Sequence, residues 1–133
     1  MIRTLYVSIA GIFLSGFLVF YQLSPKAVLN HYRFTSLREG VRPGNYFVIN
    51  DSIHRQYIDD QLFAISKVDW LPGNSYNAIL RWITIDVRDG AISPGDTMKM
   101  EMLSFKNDTL TLRVEFKDGR SFSVNYLRSL PEK

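Results

Sequence analysis

Hydrophobic and polar positions divide this 133-residue chain into two unlike parts. Residues 4–25 carry no charged side chain. An α-helix needs about 20 apolar residues to cross a hydrocarbon core of about 30 Å, and residues 5–23 approach that length. The remainder mixes polar and apolar residues throughout. The pattern predicts an N-terminal transmembrane helix at residues 1–25, followed by a single domain outside the bilayer.

The domain carries the pattern of an all-β protein. From residue 41 onward, turn signals built from Gly, Pro, Asn and Asp recur mostly every 7 to 16 residues, which suits strands and leaves almost no room for helices. Leu110, Leu112 and Val114 alternate with Thr111 and Arg113, as in a strand packed on one face. The predicted strands lie at residues 46–50, 53–57, 61–70, 79–87, 97–102, 109–117 and 121–126.

Sequential strands that are joined by short loops usually pair with their neighbours, and closing such a meander removes its exposed edges. We therefore expect a mainly β fold: an antiparallel up-and-down β-barrel of seven or eight strands at residues 41–133. Residues 26–40 are predicted as a linker or short helix. An open sandwich is the alternative, because the sequence does not show whether the first strand pairs with the last.

Composition narrows the chemistry of the domain. The chain has no cysteine, so disulfides, thiolate zinc sites and cysteine nucleophiles are excluded. Only Arg3 of the 16 Lys and Arg residues precedes the domain, which leaves 15 against 13 Asp and Glu without a basic block. This near balance does not indicate a nucleic acid partner.

His54 is the one candidate for metal or catalytic chemistry, because Asp51, Asp59 and Asp60 lie close to it in the sequence. No Cys accompanies it, and no nucleophile motif surrounds it. We interpret the aspartates as turn residues and His54 as a solvent-facing side chain. The sequence therefore predicts no enzyme, no metal and no cofactor.

The apolar segment has the features of an anchor that is retained. Its last residues are large, without the small-residue pattern of a signal-peptidase site. Lys26, Arg33 and Arg38 follow the segment while Arg3 precedes it, which opposes the positive-inside rule. Large domains translocate largely regardless of flanking charge, and a short N-terminal tail is typical of exported proteins. We expect the domain to lie outside the cytoplasm.

A barrel of about eight strands can be filled by side chains or can hold one small ligand. Ile79 and Ile83 are predicted to share an inner face that Arg81 interrupts, where Arg81 could meet an anionic group or pair with a carboxylate. A filled core is the alternative to a cavity. The candidate ligand-cavity residues are Phe63, Trp70, Arg81, Trp82, Met98, Met100 and Met102.

Residues 95–105, the D-T-L-T-L stretch at residues 108–112, and residues 117–128 with their terminal arginine resemble the closing strands of small bacterial lipocalin-like domains. The whole layout is similar to the single-span accessory proteins of membrane-bound transcriptional regulators, the ToxS-like and TcpH-like partners. The resemblance implies a single-pass protein of the bacterial inner membrane with a periplasmic domain. It also implies a second single-span membrane protein as partner, and a barrel cavity for a bile-salt or fatty-acid-like ligand.

These expectations combine into a membrane-anchored extracytoplasmic binding module, an accessory that stabilises another membrane protein or senses a ligand with it. Two alternatives remain open at this point. The chain could act as an autonomous carrier of a small hydrophobic molecule, or as a structural subunit of an envelope or secretion complex.

Overall fold

The computed structural model describes residues 24–40, 43–84 and 92–131. Within these residues, one short helix precedes eight strands, and each strand is antiparallel to the next in a closed barrel of order β1 to β8. The elements are α1 Pro25–Leu29, β1 Arg33–Ser36, β2 Tyr46–Asn50, β3 Ile53–Ile58, β4 Gln61–Trp70, β5 Ser75–Ile83, β6 Thr97–Lys106, β7 Thr109–Glu115 and β8 Ser121–Ser129.

The first and last strands close the barrel. Phe34 of β1 lies opposite Arg128 of β8, and Thr35 lies opposite Leu127. This pairing excludes the open sandwich and confirms the antiparallel up-and-down barrel. The barrel begins at Arg33 rather than at residue 41, because the four-residue β1 is too short for its alternation to stand out from a linker.

Residues 1–23 of the predicted anchor at residues 1–25 lie outside the described residues. The part of the predicted strand at residues 79–87 beyond residue 84 lies outside them as well. Ser24 caps the start of α1 by accepting a hydrogen bond from the Ala27 N–H at 3.3 Å, and Pro25 occupies the first turn. No helix in the described ranges is long and apolar enough to cross a membrane.

Two of the predicted turn signals form tight hairpins. Asp59 and Asp60 connect β3 to β4, while Asn107 and Asp108 connect β6 to β7, all with φ between 51° and 62°. Asn and Asp tolerate this left-handed region better than other residues with a side chain, and two consecutive positive φ angles define the turn that suits the twist of a hairpin. The turn residues therefore set the register of these strand pairs.

Three strands each contain one extra residue, located at Phe63 in β4, Arg81 in β5 and Leu103 in β6, where the pairing register shifts. Such a bulge reverses which alternate positions face inward. In β5 the buried side chain before the bulge is Leu80, whereas Ile83 faces inward after it. The inner face that the sequence predicted for Ile79 together with Ile83 is therefore not formed.

Helix α1 closes one end of the barrel. Val28 and Leu29 are buried in the core cluster against side chains of the first strands. The Arg128 guanidinium lies 4.1 Å from the ring centroid of Tyr32 and 4.4 Å from that of Phe105, and it donates to the Val28 carbonyl at 3.3 Å. Packing of α1 and stacking of Arg128 fill this end, which we call the closed end.

Candidate functional site

The half of the barrel away from α1 contains a cavity of about 340 Å³. This volume lies at the lower limit of small-molecule sites. The opposite rim, which we call the open end, carries the connections β1–β2, β3–β4, β5–β6 and β7–β8. Most of the cavity wall is apolar, with contributions from Phe47, Leu80, Ile83, Val114 and Phe116.

Three of the seven predicted cavity residues line this space: Phe63, Met98 and Met100. Phe63 reaches it from the bulge of β4, and Met98 and Met100 alternate along β6. Only Met100 of these methionines is fully buried, at 4% exposure. Strand β4 thus supplies an aromatic side chain to the wall, and β6 supplies flexible ones.

The other four predicted residues do not line the cavity. Trp70 and Met102 pack against the core cluster toward the closed end, where the Trp70 ring lies 5.3 Å from that of Tyr76. Arg81 and Trp82 are exposed on the outside of the barrel, because the bulge at Arg81 moves the inward position to Ile83. Sequence alternation alone could not locate that bulge.

His54 forms part of the cavity floor, so the interpretation of a solvent-facing histidine is wrong. Its side chain is 6% exposed, and its ring lies 4.8 Å from that of Phe47. The Phe47 ring in turn packs edge-on against Tyr126 at 4.9 Å. Neither imidazole nitrogen of His54 has a hydrogen-bond partner among the described residues.

Burial changes the ionisation of the floor groups. Desolvation lowers the pKa of His54 from 6.5 to about 4, so the imidazole is neutral at pH 7. Desolvation also raises the pKa of Tyr126, which lines the cavity, to about 12. Tyr76 lies in the core and does not line the cavity; its pKa is raised by desolvation and, to a smaller extent, by Tyr126. The floor is therefore uncharged and presents groups that can donate or accept hydrogen bonds.

The open end differs from the floor in carrying charge. Arg38, which is exposed, is the only charged side chain among the described residues that line the cavity. Elsewhere on this rim, Lys117 and Asp96 form an ion pair of 3.0 Å that links the β7–β8 and β5–β6 connections. The Lys117 hydrogen bond lowers the pKa of the Asp96 carboxyl. Arg38 thus gives the mouth a positive charge, and no described residue of the lining is acidic.

Sequence reasoning missed the cavity-lining positions of β3. His54 and Gln56 line the cavity, and Tyr57 and Ile58 line it at the open end of the strand. The outer positions Ile53 and Arg55 mix an apolar and a charged side chain, so alternation within β3 does not distinguish its two faces. The inner face of β3 is identified only from its register with the neighbouring strands.

The outside of β2–β5 forms a half-buried apolar surface, which we call the apolar wall, made of Val48, Ile53, Ile65, Ile79 and Trp82. Its side chains alternate with buried inward residues on each strand. On the other side of the barrel, the outside of β6–β8 carries mainly Thr, Ser, Lys, Glu and Arg. The two exteriors therefore differ in their affinity for water.

Arg55 and Arg81 lie on or beside the apolar wall. Neither forms an ion pair within residues 24–40, 43–84 and 92–131. Lys67 on the same exterior pairs with Asp69 at 3.8 Å. The apolar wall consequently combines apolar side chains with positive charge.

Comparison with known protein families, with curated proteins and with solved structures gave no match.

Proposed function

We propose that this chain is a membrane-anchored binding module whose barrel holds a small amphipathic anion of the bile-salt or fatty-acid kind. The cavity carries the proposal, because it joins a mainly apolar lining to the positive charge of Arg38, the only charged lining side chain among the described residues. An anion with an apolar body buries that body in the barrel and leaves its charged group beside Arg38. The described part of the chain contains no cluster of metal-ligating side chains.

The path of the chain supports one orientation of the cavity relative to the proposed anchor. Residue 24 enters α1 at the closed end, so the proposed anchor precedes the end that Arg128 and α1 seal. With residues 1–25 in a bacterial inner membrane, the mouth faces away from the bilayer into the periplasm. A ligand would then enter from the aqueous side rather than directly from the lipid.

Titration with a dansyl-labelled undecanoic acid tests the cavity, using the full chain in phospholipid nanodiscs and energy transfer from Trp70 as the readout. Saturable binding that decanoate reverses is the expected result. Ala64→Phe places an aromatic ring in the cavity lining and should abolish binding, since Ala64 is only 6% exposed. The matched control is Ile65→Phe, which adds the same ring to the outer face one residue later. Equal binding by both variants would contradict a site inside the barrel.

Arg38 provides a second arm of this test. Arg38→Gln should weaken decanoate binding about two- to fivefold, the range expected for an exposed ion pair. Arg55→Gln removes a charge from the outer wall and should leave the affinity for decanoate unchanged. A loss of the same size in both variants would indicate that overall charge, rather than the mouth, attracts the anion.

The apolar wall favours a second role, in which the module contacts a second single-span membrane protein. This apolar surface is flanked by Arg55 and Arg81, which form no ion pair with a described residue, and it is complementary to a partner surface that is apolar and acidic. Stabilisation of that partner, or joint sensing of the ligand with it, is the accessory function that this arrangement supports.

Photo-cross-linking in native membranes tests the contact at single positions. A benzoylphenylalanine at Ile53, on the apolar wall, should yield one defined adduct with a membrane protein. The same group at Thr111, on the polar outside of β7, should yield none. Adducts of equal intensity from both positions would show that the contact is not specific to the apolar wall.

A further inference from the structure

The floor of the cavity has a polar group that the fold itself does not satisfy. Both nitrogens of the His54 imidazole are buried without a hydrogen-bond partner in the described chain, and the ring lines the cavity. Leaving a buried donor or acceptor unsatisfied costs free energy, so buried polar groups are almost always paired. The side of His54 from which a partner can arrive is the cavity.

We propose that His54 is a specificity-determining residue that hydrogen-bonds a hydroxyl group at the inner end of the ligand. This inference rests on the proposed function and narrows its ligand class to amphipathic anions that carry a neutral hydroxyl far from their charged group. The hydroxyl can accept from one imidazole nitrogen or donate to the other, whichever tautomer His54 adopts.

The charge distribution sets the direction in which such a ligand enters. Arg38 at the mouth is the only charged lining side chain among the described residues. A carboxylate at the floor would lose its hydration without meeting a cation, which is far more costly than burying a hydroxyl that finds a partner. The charged group therefore stays at the mouth and the neutral group reaches the floor.

The depth of the cavity separates the two ends of the ligand. From His54 to Ile58 at the rim, β3 advances four residues, or about 13 Å along the strand at about 3.3 Å per residue. The wall between them is formed by apolar residues such as Phe63, Met98 and Met100. A ligand with an apolar segment between its carboxylate and its hydroxyl therefore matches a cavity with Arg38 at the mouth, an apolar lining and His54 at the floor.

The test compares decanoate with ω-hydroxydecanoate, which have the same carboxylate and chain and differ only in the terminal hydroxyl. Their affinities are measured by displacement of the dansyl-labelled fatty acid from the full chain in nanodiscs. His54→Phe keeps a ring against Phe47 but removes both nitrogens. The ratio of the two affinities should shift toward decanoate by about five- to thirtyfold in this variant, because the hydroxyl loses its partner.

Two further measurements separate recognition from a structural effect. The ¹⁵N resonances of the His54 ring should move when ω-hydroxydecanoate binds and stay in place with decanoate. His54→Gln, which retains a donor and an acceptor, should recover part of the lost ratio. Met98→Leu changes only an apolar side chain of the cavity lining and should alter both affinities alike.

An unchanged ratio in His54→Phe, with both acids still displacing the probe, would overturn the role of His54 and leave the proposed function standing. Failure of the wild-type chain to bind the probe at all would contradict both the proposed function and this inference.

Discussion

Strands β3 and β7 belong to the same barrel but place different side chains on their inner faces. In β7 the buried residues are Leu110, Leu112 and Val114, and the intervening positions are polar. In β3 the inner positions nearest the floor are the polar His54 and Gln56, and the outer positions hold Ile53 and Arg55. Burial of β7 stabilises the fold, whereas burial of an unpartnered imidazole opposes it. We therefore assign the inner face of β7 to stabilising the fold and that of β3 to binding.

The largest effect is expected from shortening a buried side chain of β7. Leu112 is fully buried, so Leu112→Ala should lower the free energy of unfolding by about 2–5 kcal/mol through lost burial and the space left behind. Urea denaturation of the full chain in nanodiscs, followed by tryptophan fluorescence, measures this change. Arg113→Ala, one residue along on the exposed face, should cost less than about 1 kcal/mol. A similar loss in both variants would contradict the one-sided packing of β7.

Acidification should lower the free energy of unfolding, because His54 in β3 is buried without a charge. The pKa of His54 is about 4 in the folded chain against 6.5 when unfolded, so between these values the unfolded state binds a proton that the native state does not. The contribution of His54 to the free energy of unfolding should therefore be constant above pH 6.5 and fall by about 3 kcal/mol as the pH decreases from 6.5 to 4.

Denaturation curves at a series of pH values check this dependence, with His54→Leu as the control. That variant should lack the decline between pH 6.5 and 4. A decline of the same size in the variant would assign the proton uptake to other groups. Hydrogen bonds from Lys117 and Arg120 lower the pKa values of the Asp96 and Asp118 carboxyls. The contribution of these carboxylates to stability is therefore lost only below about pH 3.8, outside the pH range in which His54 acts.

At pH 7 the same substitution should have a smaller effect, with the opposite sign from Leu112→Ala. His54→Leu removes two unsatisfied polar atoms and should leave stability unchanged or raise it by up to about 2 kcal/mol. Thermal and urea unfolding at this pH measure the change. A loss of more than about 1 kcal/mol would show that His54 has a stabilising role in the fold, and that β3 resembles β7 more closely than its pattern indicates.

The smallest effect is expected on the outside of β3. Ile53 is half-buried on the apolar wall, and Ile53→Thr should change the free energy of unfolding by no more than about 0.5 kcal/mol. The matched change on the polar exterior, Thr111→Ile, should be equally mild. A cost above about 1 kcal/mol for Ile53→Thr alone would mean that Ile53 supports the fold rather than a contact with a partner.

The fold was largely predictable where local signals and alternation agreed. Residues 46–50 and 61–70 form the strands that the sequence predicted, and Leu110, Leu112 and Val114 are buried together as expected. The candidate site was only partly predictable. Met98 and Met100 line the cavity because their alternation runs unbroken, whereas the bulge at Arg81 places that residue and Trp82 outside.

The sequence by itself determined the class of the domain and the position of its turns, because period-two alternation and the conformations of Gly, Asn and Asp are local properties. Only the tertiary structure decided that β1 closes on β8, that three bulges reverse the faces of their strands, and that His54 lies at the floor of a cavity. Each of these depends on register between strands that are distant in the chain, and a shift of one residue exchanges inside for outside.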